Sequence, residues 1–163
     1  LKILKCLGIW LTLICLHPET MMAQTISYPC SVVLHPVQGI QNAKGTALIT
    51  KVKKPYGDTP ASPVRERQSV GIYADWLPEP SSFGDYDRYV GFAQIPGVIS
   101  WQFKMYQVKE DTPSWVGGSP WVGKFDEISS DLTDNTRVEV RLFQSKTQKL
   151  GRAVLQNNLS GCR

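Results

Sequence analysis

The sequence predicts an all-β protein: one antiparallel β-sandwich of about seven to eight short strands with little helix. Stretches in which apolar and polar residues alternate at period two carry that expectation, because alternation means one buried and one wet face. These stretches are rich in Val, Ile, Thr and aromatic residues, and Pro- or Gly-bearing turns separate them.

The first strand is expected at Tyr28 to Leu34, with Cys30, Val32 and Leu34 on one face. Pro29 suggests an edge position, since proline donates nothing to a ladder. Pro36 and Gly39 mark a loop, and Gly45 to Val52 follow as a strand rich in β-branched residues. Lys53 to Pro63 hold three prolines and a glycine and read as an exposed loop. Ser69 to Leu77 form the next strand, with Val70, Ile72, Ala74 and Trp76 on one side and Tyr73 and Asp75 on the other. Pro78 to Gly84 are a second irregular loop.

A strand beginning near Tyr86 runs into the most regular part of the chain. Pro96-Gly97 suits a type II turn, with proline setting φ and glycine accepting φ > 0. Beyond it Ile99, Trp101, Phe103 and Met105 alternate with Ser100, Gln102 and Lys104, which places them inward. Trp115-Val-Gly and Trp121-Val-Gly form a local echo within a Gly-, Ser- and Pro-rich stretch. Phe125, Ile128 and Leu132 fall at helical spacing and predict a turn or two of helix. Thr136 to Phe143 read as an amphipathic strand with Val138, Val140 and Leu142 inward, and Ser145 to Gln148 turn it onto Lys149 to Gln156.

The segment Asp131 to Val140 resembles the corner and penultimate strand of fibronectin type III and other immunoglobulin-like sandwiches. A jelly-roll sandwich and a small barrel fit the same strand count.

The amino-terminal residues predict export. Lys2 and Lys5 precede the apolar run Cys6 to Leu16, His17-Pro18-Glu19 break it, and Ala23 offers a small residue for cleavage. That is the layout of a secretory signal peptide over residues 1–23. The run is shorter than the ~20 apolar residues of a membrane span, so no span is expected after cleavage. An uncleaved anchor and a lipoprotein at Cys15 are the alternatives; Ile14 disfavours the latter because lipid attachment wants a small residue there. Residues 24–163 then form one secreted or cell-surface domain. Cys30 and Cys162 remain, and an oxidising compartment predicts a disulfide between them.

Loss of Lys2, Lys5 and Glu19 lowers the formal charge from +4 to +3. So mild an excess does not point to nucleic acid. His35 stands beside Pro36 with no triad context, and no G-x-S-x-G elbow occurs. The carboxylates Asp75, Glu79, Asp85 and Asp87 cluster in sequence, but a glycosidase pair is defined by spatial separation. Neither Asp85-Tyr-Asp87 nor Asp131 to Asn135 matches the EF-hand spacing, so no metal or other cofactor is expected. Asn158-Leu-Ser160 is a glycosylation sequon, relevant only to a eukaryotic secretory pathway.

The expected function is a secreted, non-enzymatic binding or structural module whose partner is an extracellular polysaccharide or a surface protein. Carbohydrate recognition is the alternative with chemical content, and a small hydrolase ranks last. For sugar binding, Trp115 and Trp121 would stack on pyranose faces. Tyr86 and Tyr89 would extend the platform, and Asp85 and Asp87 would accept from hydroxyls. The opposing expectation buries Trp115 and Trp121 at one end of the fold, because tryptophan normally finds cover.

Overall fold

Eight antiparallel strands close into a barrel in the computed structural model, which describes residues 23–109 and 119–163. They are β1 (Cys30–Pro36), β2 (Lys44–Pro55), β3 (Val64–Asp75), β4 (Arg88–Ile95), β5 (Ile99–Gln107), β6 (Trp121–Ile128), β7 (Arg137–Gln144) and β8 (Lys149–Asn158). The order around the barrel is β1-β2-β3-β6-β5-β4-β7-β8. All-β architecture with almost no helix is as expected; two short 3₁₀ turns, Pro80–Phe83 and Ser160–Cys162, are the exceptions among the described residues.

Closure is where the structure departs from a sandwich. β1 pairs with β2 through Cys30 to Leu34 and with β8 through His35 and Pro36. β5 likewise pairs with β4 through Ile99 to Lys104 and with β6 through Met105 to Gln107. Each of these strands passes from one neighbour to the next along its length, as corner strands do. Every strand thereby has two partners, and the exposed edges of an open sheet disappear. β1 starts just after Pro29, so proline's missing donor takes nothing from the ladder.

The alternation read from the sequence sets what faces the interior. Val32, Leu34, Ala47, Ile49, Val70, Ile72, Ala74, Val138, Val140 and Leu142 all lie in the buried core. The β4–β5 hairpin turns as its sequence predicts: Val98 N–H donates to Ile95 O at 3.0 Å, and Gly97 has φ +74°. Phe103 and Met105 are buried and Trp101 packs partly against the core, whereas Ile99, beside the turn, is exposed.

Two expectations are corrected. Phe125 and Ile128 belong to β6, not to a helix. Phe125 lies opposite Val70 and Ile128 opposite Gln68, so β6 carries an extra residue there. This β-bulge lets residues three apart face the same side and mimics helical spacing. Trp76 does not continue the buried face of β3. The strand ends at Asp75, Trp76 takes φ +57°, and its side chain is 47% exposed.

The chain ends are tied together. Cys30 and Cys162 form a disulfide, and Ser27 N–H donates to Cys162 O at 2.6 Å. Asp134 accepts from Gln24 N–H at 3.1 Å and pairs with Arg163 at 2.8 Å. Buried Gln68 closes the same end: its amide donates to Asp131 at 2.9 Å, and its oxygen accepts from Leu132 N–H at 2.9 Å and from the Tyr28 hydroxyl. Burial first, then the nearby Asp131 charge, raise the Tyr28 phenol to about 12. The leader expected over residues 1–23 lies almost wholly outside the described residues. Among the described residues no helix is long and apolar enough to cross a membrane.

Candidate functional site

Among the described residues, the side chains expected to form a sugar platform do not share one exposed surface. Trp121 opens β6 with its ring 9% exposed and meets Tyr89 edge-on, centroids 5.2 Å apart at 85°. Tyr89 is fully buried, and its hydroxyl donates to Pro78 O at 2.7 Å. These rings pack edge to face inside the barrel and have no face to offer a sugar. Tyr86 is half-buried, and its ring lies over Gly151, where an added Cβ would meet it at 2.6 Å. Asp85 and Asp87 are exposed but brace the neighbouring hairpin. Asp85 accepts from the Gln144 amide at 3.1 Å, and Asp87 accepts from Ser145 N–H and Oγ at 2.9 to 3.2 Å. Burial alone would raise the Asp87 carboxyl, but those donors and the Arg88 guanidinium outweigh it and hold it below the usual range. Trp115 lies outside the described residues.

The structure gathers a different aromatic set. Residues directly opposite in neighbouring strands share a face. By register, Val33 lies beside Thr46, Thr46 beside Tyr73, Tyr73 beside Val122, and Val122 beside Tyr106. This row crosses β1, β2, β3, β6 and β5 on the outer surface and spans roughly 19 Å at normal strand spacing. Val33 is 58% and Tyr106 64% exposed, and Leu48, one step along β2 on the same face, is 50% exposed. Tyr73 is also exposed and its hydroxyl donates to Asp75 at 3.3 Å. Trp76 stands with Asn42 and Lys44 at a recess of about 330 Å³ beside the Lys44 end of this face.

The signal for this row was present in the sequence. Tyr73 falls on the polar parity of its strand, and Tyr106 continues the polar series Ser100, Gln102, Lys104. An aromatic ring at a wet position is visible from alternation; that five such strands lie side by side is not.

Charge gathers at one end of the same face. The β6 bulge turns Asp126 and Glu127 toward Lys54, which pairs with both, while Arg65 reaches Glu127 at 3.3 Å and Lys124 reaches Asp126 at 3.2 Å. Hydrogen bonds from Lys54 lower both carboxyls, and the same bonds raise the Lys54 ammonium. Solvent screens these exposed groups, so the network orients the strand ends more than it stabilises them. A groove of about 590 Å³ runs past Gln24, Asp134, Asn135, Asn158 and Arg163, but Asp134 there is already taken up by Gln24 and Arg163. His35 lies beside a polar recess with Arg137, Gln156 and Asn157. Among the described residues no three His, Cys, Asp or Glu side chains converge as a metal site would require.

Residues 26–163 match the family model described as SPbeta prophage-derived uncharacterized protein YoqH. A protein of that name from Bacillus subtilis (strain 168) is 46% identical over 136 residues, which is 82% of this chain and 82% of the relative. No solved structure matches the chain. A family match spanning the whole barrel, together with that identity, places the chain in the YoqH family.

Proposed function

We propose that this protein is an exported, non-enzymatic β-barrel that acts as an extracellular binding module, with the outer face of β1, β2, β3, β6 and β5 as its recognition surface. The observation that carries the reading is the exposed row from Val33 to Tyr106 with Leu48 beside it. Grouped apolar side chains left in water on a sheet face mark a contact surface. Export rests on the basic and apolar leader, and the Cys30–Cys162 disulfide is in keeping with an oxidising compartment.

A polysaccharide is the partner favoured by the rings of Tyr106 and Trp76, which present flat apolar surface together with polar atoms. A surface protein is the other partner class. Retention of the protein on insoluble polysaccharides and cell-wall preparations, beside a Tyr106→Ala/Trp76→Ala variant, separates them. Retention lost in the variant, with its thermal melt unchanged, supports the sugar reading. No retention of either protein moves the surface to a protein partner, tested by cross-linking through a Leu48→Cys probe. Equal retention of both proteins removes Tyr106 and Trp76 from the binding surface.

A further inference from the structure

A second recess lies farther round the barrel, over β5, β4 and β7. Tyr89 and Ala93 of β4 point into the core, so Val90 between them points outward. Val90 is nonetheless only 2% and Phe143 only 7% exposed, and neither belongs to the core cluster. They floor a recess of about 350 Å³ whose rim carries Arg88, Gln102, Lys104 and Ser145. Lys104 is the cross-strand neighbour of Val90, and Arg88 is that of Phe143. Two cations therefore flank one apolar floor on adjacent strands.

The charge of Lys104 is not consumed by the protein, and that of Arg88 is shared with a single exposed acid. The Lys104 side chain makes no ion pair or hydrogen bond within the described residues. Arg88 has one acidic partner, Asp87 at 3.5 Å, and both oxygens of Asp87 already accept from Ser145. Of the other acids by β7, Glu139 is held by Arg141 at 3.0 Å and Asp85 accepts from the Gln144 amide at 3.1 Å. Apolar floor with a few convergent polar groups is the usual composition of a small-ligand site. Here those groups are cationic.

We infer that this recess binds a small anionic ligand, its carboxylate or phosphate clamped between Lys104 and Arg88 and its carbon body resting on Val90 and Phe143. The guanidinium supplies a planar two-donor fork and the ammonium a point charge, which together fix an oxyanion better than either alone. The Gln102 amide stands at the rim to donate to a hydroxyl. The volume admits a group of monosaccharide size. The site meets the aromatic face along β5 but uses different side chains, Lys104 and Arg88 rather than Tyr106 and Trp76, so the two are tested by separate substitutions.

The test is a titration of the full chain followed by backbone amide resonances, with glucuronate as the carboxylate, glycerol phosphate as the phosphate and methyl glucoside as a neutral control. Saturable shifts at Val90, Gln102, Lys104 and Ser145 with either anion and none with methyl glucoside are expected, and the anion that binds more tightly names the ligand class. Lys104→Gln weakens binding about tenfold, the size of one charge-assisted hydrogen bond, with the melt unchanged. Lys53→Gln, an equal loss of charge on β2, three strands away from β5, leaves affinity unchanged. Equal response to the neutral sugar, absence of saturation by about 10 mM, or equal weakening by both lysine variants would overturn the assignment.

Discussion

Replacing Gly91 with alanine adds one methyl group to the inner face of β4, where the ring of Phe103 already fills the space. Gly91 and Phe103 are direct cross-strand partners, and a Cβ built at Gly91 would lie 2.2 Å and 2.3 Å from two ring carbons. Ordinary carbon contacts begin more than ~1 Å farther out. The ring cannot simply swing aside, because it is buried and stacked on Phe125 with centroids 6.2 Å apart. Overpacking of this kind costs about 1–3 kcal/mol, and contact with a confined ring puts Gly91→Ala near the upper end. In a chain of this size ~3 kcal/mol lowers Tm by about 6–12 °C. Urea unfolding followed by tryptophan fluorescence measures the loss. A second variant isolates its cause: Phe103→Leu removes the ring at a cost of about 1–2 kcal/mol. The double variant should then lose at least ~1 kcal/mol less than the sum of the two single losses, since the clash no longer exists. A Gly91→Ala protein within ~0.5 kcal/mol of the parent, or strict additivity in the double variant, would refute the packing argument.

Other outcomes follow from the same structure. Reduction should release two thiols per chain, and with Cys30 and Cys162 separated by 132 positions the chain-entropy model assigns the cross-link about 5 kcal/mol. A Cys30→Ser/Cys162→Ser variant with an unchanged urea midpoint would contradict this. Trp121→Ala should cost about 3–5 kcal/mol and lower the melt sharply, because it removes a buried ring packed on Tyr89; an unchanged melt would return Trp121 to the surface. The Tyr28 phenol is raised from 10.0 to about 12, so the folded chain keeps this proton after the unfolded chain has lost it. Its contribution is complete below pH 10 and is lost as pH rises from 10 to 12, a slope that Tyr28→Phe should reduce when stability is measured across that window.

Much of this molecule was legible locally. The inward residues of β1, β2, β3 and β7 follow from period-two alternation, and the Pro96-Gly97 turn follows from what proline and glycine allow. Local periodicity misled at Phe125 and Ile128, where a single inserted residue on β6 turned a strand into an apparent helix. It also misled at Trp76, because alternation says nothing about where a strand stops.

Local pattern was enough for an all-β chain, for most of its strands though not β6, for its central turn and for the pair of cysteines that the structure joins. Tertiary structure alone decided closure, because the double pairing of β1 and β5 depends on strands far away in sequence. It decided the fate of the aromatic rings for the same reason. Trp121 is buried because β4 brings Tyr89 against it, and Tyr106 is exposed because its side of β5 faces out of the barrel. Alternation assigns a side chain to one of two faces; only the register and order of the neighbouring strands decide what each face meets.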